Sequence, residues 1–174
     1  MRAAGVPVIP GFDAVADFAD ARKQAQKIGF PLLIKARAGG GGRGIRLVHQ
    51  MDELETAYQN ASREAQSAFG DGGVYLEKYL YPAKHIEMQV LCDDFGAVVC
   101  LGERECSIQR KNQKLIEECP SSRMDEQTRQ RMMKAAETAA RAVGYRNAGT
   151  VEFLLDRDGN FYFMEMNTRL QVEH

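Results

Sequence analysis

The sequence predicts an α+β protein in two lobes, a small α/β lobe over residues 1–79 followed by an antiparallel-sheet lobe over residues 80–174. Three observations predict it. The first half interleaves two helical patterns with short apolar runs. The second half holds five strand-like runs broken by a single helix. Two loops of hairpin composition join strands in that second half.

Taken in order, Val15, Phe18, Ala19, Ala25 and Ile28 share one face of a helix over residues 15–28 that stops at Gly29. Residues 30–35 read as a short buried strand, and residues 45–48 as its return after a glycine-rich stretch. Residues 51–69 repeat the helical spacing and end at the turn Gly70-Asp71-Gly72-Gly73, and residues 74–79 form another strand. Strands are expected over residues 85–92, 97–103, 113–118, 148–155 and 161–166. One helix over residues 125–143, stopped by Gly144, interrupts them. Asp93-Asp94-Phe95-Gly96 and Arg157-Asp158-Gly159-Asn160 are the hairpin loops.

Composition excludes several classes. With 174 residues, 44% hydrophobic and 27% charged, the chain can bury a core. A net charge of −1, from 23 basic and 24 acidic residues, gives no general attraction to nucleic acid or an anionic membrane. Any bound anion must be held by locally placed groups. Cys92, Cys100, Cys106 and Cys119 form no C-x-x-C pair and are expected to be reduced core residues. Without a signal peptide or membrane-length apolar run, the expected location is the cytoplasm or an organelle matrix. The last residues stop within a patterned segment, so the sheet lobe is expected to be truncated at its C-terminal end.

Three constellations carry chemistry. Lys35 ends a strand and is followed by Arg37, Ala38, Gly39, Gly40, Gly41, Gly42, Arg43 and Gly44. Glycines let successive N–H groups approach an anion, and the lysine adds a fixed charge beside them. The pattern is neither a Walker loop nor a Rossmann fingerprint. A strand–loop–strand lid over phosphates fits it, and such a lid is expected to be mobile without nucleotide. The bland alternative is a flexible hairpin tip.

The second constellation is Glu152 and Glu165. If the loop over residues 157–160 sets Asp156 opposite Phe161, Glu152 lies opposite Glu165 on one face, with Cβ atoms ~5 Å apart. Facing carboxylates repel unless a cation lies between them, and magnesium suits an all-oxygen set. The alternative is a pair of solvent-facing glutamates. The third is the terminal segment. If it stays extended, Glu165, Asn167, Arg169, Gln171 and Glu173 share one face, able to hold a metal, a small oxyanion on Arg169 and a base at Glu173.

Glu165-Met166-Asn167-Thr168-Arg169-Leu170-Gln171-Val172-Glu173-His174 resembles the E-M-N-T-R-[IL]-Q-V-E-H signature of biotin carboxylases, which are ATP-grasp ligases. Gly5-Val6-Pro7, Glu77-Lys78-Tyr79-Leu80, His85-Ile86-Glu87, the run from Glu103 to Arg110, and Gln113-Lys114 extend the resemblance along the chain. It implies the ATP-grasp fold, with ATP and Mg2+ (or Mn2+) as cofactors and biotin as substrate of the parent enzyme. Lys35, under the lid glycines Gly40, Gly41 and Gly42, is implied to hold phosphates. Glu77, Lys78 and Leu80 in a hinge are implied to meet adenine, with His85, Gln109 and Asn112 lining the nucleotide site. Glu152 and Glu165 are implied to bind the metal, with Asn167 beside it. Lys114, Arg169, Gln171 and the Val172 backbone are implied to surround bicarbonate, and Glu173 to deprotonate it.

Biotin on a carrier and a carboxyltransferase component are the implied partners, in a homo-oligomeric parent. Two departures stand out: Arg37-Ala38 replaces the family's usual Ser-Gly, and Asn112 stands where histidine is common. A carbamoyl-phosphate synthetase half shares the lid lysine and paired glutamates, but is not expected to keep Gln171-Val172-Glu173-His174. A nucleotide-binding module without turnover is the rival of a different class.

Overall fold

Asp17 starts the first helix by accepting the Asp20 N–H (2.8 Å), so α1 (Phe18–Ile28) begins at Phe18 and not at Val15. In the computed structural model, residues 1–39, 44–110, 113–122 and 124–174 are described. They form two compact units, Ile9–Tyr79 and Met1–Val8 with Leu80–His174. The first eight residues were expected in the smaller lobe. They pack with the larger one: Val6 lies in its core and the Phe163 N–H donates to the Pro7 carbonyl (2.7 Å).

In the unit Ile9–Tyr79, β1 (Gly11–Phe12), β2 (Leu32–Ala36), β3 (Ile45–Val48) and β4 (Val74–Lys78) form an antiparallel sheet in the order β1-β4-β2-β3. The two-residue β1 is too short to announce itself by alternation. Leu32, Ile34 and Ala36 alternate into the interior, and the first two share a core with Ala25 of α1 and Leu54 and Ala61 of α2 (Leu54–Phe69). Period two therefore sends Leu33 and Lys35 to the other face.

The larger unit is a five-stranded antiparallel sheet, β7-β6-β5-β8-β9. Its strands are β5 (Ala83–Cys92), β6 (Val98–Arg110), β7 (Gln113–Glu118), β8 (Asn147–Asp156) and β9 (Phe161–Asn167). One face packs on α3 (Glu126–Ala142): Ile86, Met88, Val90, Val151 and Phe153 meet Met132, Ala136 and Ala139. β6 runs on to Arg110, past the Glu103 expected, because its outer half pairs with β7. Cys92, Cys100 and Cys106 are buried free thiols, while Cys119 is exposed, correcting its expected core position. Burial lifts the Cys100 and Cys106 thiols to about 11 and about 12. Among the described residues, no helix is long and apolar enough to cross a membrane.

Two corrections concern the last hairpin. Leu155, not Asp156, pairs with Phe161, because Asp156 turns its carboxylate onto the Asp158 and Asn160 N–H groups. An irregularity between Glu152 and Phe153 then restores the register, and Glu152 does pair with Glu165. Beyond Asn167 the chain leaves the sheet and ends in a turn, with His174 N–H donating to Gln171 O (3.2 Å). The five polar residues therefore do not share one extended face. Arg169, Leu170 and Val172 are exposed, whereas Gln171 turns inward.

Candidate functional site

Because β5 gives Ile86, Met88 and Val90 to the α3 side, Glu87 and Gln89 must occupy the opposite face, and both are buried there. Pairing then lines up one rung across four strands: Arg104 of β6 with Glu87 of β5, Glu87 with Glu152 of β8, and Glu152 with Glu165 of β9. Three adjacent glutamates on one rung repel, and two of them, Glu87 and Glu152, are 0% and 3% exposed. The sequence shows the Glu152–Glu165 pair but not the rung. Glu87 and Arg104 lie inside the motifs that carried the family resemblance, yet no role attached to them, since their register depends on long-range pairing.

Cations compensate the rung. Lys114, from β7, sets its ammonium against Glu87 Oε1, 2.7 Å from Glu173 Oε1 and 3.6 Å from Glu152 Oε1. It is not the solvated face that the run from Gln109 suggested in isolation. Arg104 donates from Nη2 to Glu87 Oε2 (3.4 Å). His85 Nε2 lies 2.8 Å from Glu152 Oε2, without hydrogen-bond alignment, and its Nδ1 is 2.8 Å from Gln109 Nε2. His85, Glu87 and Glu152 bring ligand-type atoms within 4.8 Å of one another. The Lys114 ammonium already sits against both carboxylates of that trio.

The electrostatics follow the contacts. Burial pushes the Glu87 carboxyl above its ordinary value, and neighbouring Glu152 adds to the rise against the pull of Lys114. Burial also opposes ionisation of Glu152, but His85 and Lys114 outweigh it and the carboxyl lies low. Glu173 lies low too, burial again being outweighed by the Lys114 hydrogen bond. Burial disfavours the Lys114 charge, yet Glu173 and Glu87 hold its pKa above the ordinary value. The terminal pair is thus a fixed cation beside an ionised carboxylate.

The other predicted residues separate. Lys35 pairs with Glu77 in the smaller unit, diagonally across β2 and β4 and two residues out of direct register. The Lys78 ammonium donates to the Phe30 carbonyl (2.9 Å) and its backbone N–H to the Pro10 carbonyl (2.7 Å). Leu80 is half-buried in the larger unit. Asn167 donates to Glu152 Oε1, close to the rung. Arg169 is exposed and donates to its neighbour Leu170's carbonyl (3.2 Å), and Val172 is fully exposed. Gly40, Gly41, Gly42, Arg43 and Asn112 lie outside the described residues, and with them the expected mobility of the lid.

Relatives bear on what such a site serves. A biotin carboxylase of Nostoc is 53% identical over the whole chain, which covers 39% of that protein. The crystal structure of a biotin carboxylase complex with β,γ-ATP from Campylobacter jejuni superposes with a TM-score of 0.96 at 56% identity, over 99% of this chain and 39% of that one. The biotin carboxylase domain dimer of Hydrogenobacter thermophilus 2-oxoglutarate carboxylase, solved with MgADP, ADP and bicarbonate, gives 0.93 at 52% identity, over 99% and 38%. The chain thus spans well under half the length of these relatives, and its fold is their ATP-grasp fold. All of residues 1–174 match one family model, and on that match the chain belongs to the family described as the carbamoyl-phosphate synthase L chain, ATP binding domain.

Proposed function

We propose that the chain is the ATP-binding central segment of a biotin carboxylase, a ligase that phosphorylates bicarbonate with Mg-ATP and then carboxylates biotin. The observation that carries this reading is the Lys114–Glu173 pair, 2.7 Å apart, beside a buried rung of glutamates. A small oxyanion needs a fixed positive charge and, to become a nucleophile, a base within reach of its proton. Both are present in ionised form at neutral pH.

In this reading bicarbonate lies against Lys114, Arg169, Gln171 and the Val172 N–H. Glu173 takes its proton, and the freed oxygen attacks the γ-phosphorus as the bond to ADP breaks, giving carboxyphosphate. Catalysis of such a step is positioning and charge neutralisation. Lys35 exchanges Glu77 for the phosphates, and Gly40, Gly41 and Gly42 would cover them. Glu77, Lys78 and Leu80 meet the adenine through backbone groups, with His85, Gln109 and Asn112 lining the nucleotide.

The donor set fits magnesium or manganese. Glu152 and Glu165 are rung partners, and Asn167 stands two residues along β9, on the same face as Glu165 and beside Glu152 Oε1. The chemistry a bound ion supplies there is neutralisation of phosphate charge. The relatives' names as subunits or domains of carboxylases support biotin on a carrier and a carboxyltransferase component as partners, and the dimer of the Hydrogenobacter domain supports a homo-oligomer. We place the protein in the cytoplasm or an organelle matrix, where buried free thiols stay reduced.

The test is bicarbonate-dependent ATP cleavage with free biotin, on the full-length protein and on residues 1–174. Cleavage that depends on bicarbonate in the full-length protein is expected. Residues 1–174 alone are expected to bind ATP weakly without carboxylating biotin, since they match only 39% of the length of a related biotin carboxylase. ATP cleavage indifferent to bicarbonate in the full-length protein would refute the reading.

A further inference from the structure

We propose that Arg104 is a positioning residue for bicarbonate activation: a buried clamp that keeps the terminal segment and Glu87 in place when the oxyanion engages Lys114 and Glu173. The proposal rests on the function proposed above, but its geometry does not.

Arg104 is 7% exposed on β6. Its Nη1 donates to Gln89 Oε1 (3.0 Å) and its Nη2 to Thr150 Oγ1 (3.1 Å), and these two bonds pin the guanidinium to the sheet. The same Nη2 reaches Glu87 Oε2 and Gln171 Oε1, each at 3.4 Å. Two hydrogens on that nitrogen thus serve three acceptors, while the Nε–H is buried without a partner. A guanidinium so placed can strengthen its bond to whichever acceptor needs it. A lysine ammonium, lacking the planar fork, cannot span these groups together.

The need arises during turnover. The segment after Asn167 has no strand pairing, and Gln171 and Glu173 turn inward from it to cations, Gln171 to Arg104 and Glu173 to Lys114. When bicarbonate bonds Lys114 and Glu173, the Lys114–Glu173 anchor is spent on substrate. The Arg104–Gln171 bond then holds Glu173 within reach of the proton it must take. Glu87 in the same moment shares Lys114 with the oxyanion, and a fully buried carboxylate left bare is costly, so Arg104 keeps it paired.

The experiment measures bicarbonate-dependent ATP cleavage in the full-length protein. Arg104→Lys keeps the charge and loses the fork. It should raise the KM for bicarbonate about tenfold or more while the KM for ATP stays within about twofold. Thr150→Val, nearly isosteric, removes one sheet-side pin and should raise the bicarbonate KM by a smaller factor, so the proposal remains testable if Arg104→Lys fails to fold. Combined with Gln171→Leu, Arg104→Lys should lose less than the product of the two single losses, because the share that each owes to their common bond can be lost only once. Multiplied losses, or equal changes in both KM values, would overturn the clamp. If the wild type cleaves ATP without bicarbonate, the functional reading falls. The clamp is then decided by hydrogen exchange over residues 168–174: faster exchange in Arg104→Lys supports it and unchanged exchange overturns it.

Discussion

Each unit holds a shielded lysine against glutamate, but Lys35 faces one carboxylate and Lys114 faces three. The difference is one of exchangeability. Lys35 can trade Glu77 for a phosphate and leave one carboxylate to re-solvate. Lys114 cannot depart without exposing Glu87, Glu152 and Glu173 to one another, so its place is fixed by repulsion among its neighbours. A lysine in a single pair suits a site that opens and closes on a ligand. A lysine in a network suits a site whose geometry must persist through turnover.

The largest expected effect breaks the network. Lys114→Met takes from Glu87, Glu152 and Glu173 the cation they share, and removing one partner of a buried ion pair costs about 3–5 kcal/mol. Urea denaturation should show a loss of that order, with bicarbonate-dependent cleavage abolished. A loss under about 1 kcal/mol would mean that the carboxylates share protons or other cations and that the contrast with Lys35 is unreal.

Lys35→Ala should act on binding more than on folding. A charge-assisted contact to phosphate contributes roughly 1–3 kcal/mol, so the Kd for Mg-ATP should rise about tenfold or more in a titration. Loss of stability should be the smaller effect, near 1 kcal/mol, because only Glu77 loses a partner. Unchanged affinity with an intact fold removes Lys35 from the nucleotide site.

Gly11→Ala sharpens the contrast from the backbone side. A Cβ there would lie 2.4 Å from the Leu76 carbonyl oxygen and 2.8 Å from the Glu77 Cα, so β1 and β4 must part. Overpacking of this kind costs roughly 1–3 kcal/mol. It should weaken Mg-ATP binding by displacing Glu77 and its lysine, while the Lys114 network, in the other unit, keeps its hydrogen-exchange protection.

Helices and most strands were legible because α1, α2, α3 and the core strands carry clean periodicities with glycine or aspartate at their ends. The Glu152–Glu165 pairing was reached by counting from a hairpin that is one residue off, and the irregularity beside Glu152 cancelled the error. Local sequence does not encode such an irregularity. The terminal segment misled for a related reason. Alternation from Glu165 to Glu173 imitates a strand, but a strand needs a neighbour, and β9's pairing with β8 ends at Thr150–Asn167. The Tyr145 ring fills the space over Gly149 and its hydroxyl bonds the Ala148 carbonyl, where further pairing would form. Arg104 and Glu87 stayed without a role because a rung across β6, β5, β8 and β9 is a property of register between distant segments, visible only when the sheet is assembled, and Thr150, two residues along β8 from that rung, stayed so for the same reason.

The smallest effect separates buried from exposed charge. In the larger unit Glu105 lies half-buried: burial opposes its ionisation, but Lys84 at 2.7 Å and Ser121 outweigh it and hold the carboxyl below its ordinary 4.5. In the smaller unit Asp71, whose side chain is 38% exposed against 13% for Glu105, is lowered first by the Gly73 N–H and then by Arg37, 2.9 Å away. A carboxylate with a depressed folded pKa contributes stability above its unfolded value and loses it as pH falls through that value toward the folded one. Both residues should therefore favour folding at neutral pH and lose that contribution below about 4–4.5. Salt tells them apart, since the Debye length falls to about 3 Å at 1 M and screens exposed pairs far more than buried ones. Glu105→Gln should lower stability at neutral pH and flatten the acid limb of the stability curve, in low salt and in 1 M salt alike. Asp71→Asn should do so in low salt and much less in 1 M, retaining only the part due to the Gly73 hydrogen bond. Equal salt sensitivity in the two variants would show that Glu105 is as solvated as Asp71, and that the larger unit's polar face is wetter than its packing implies.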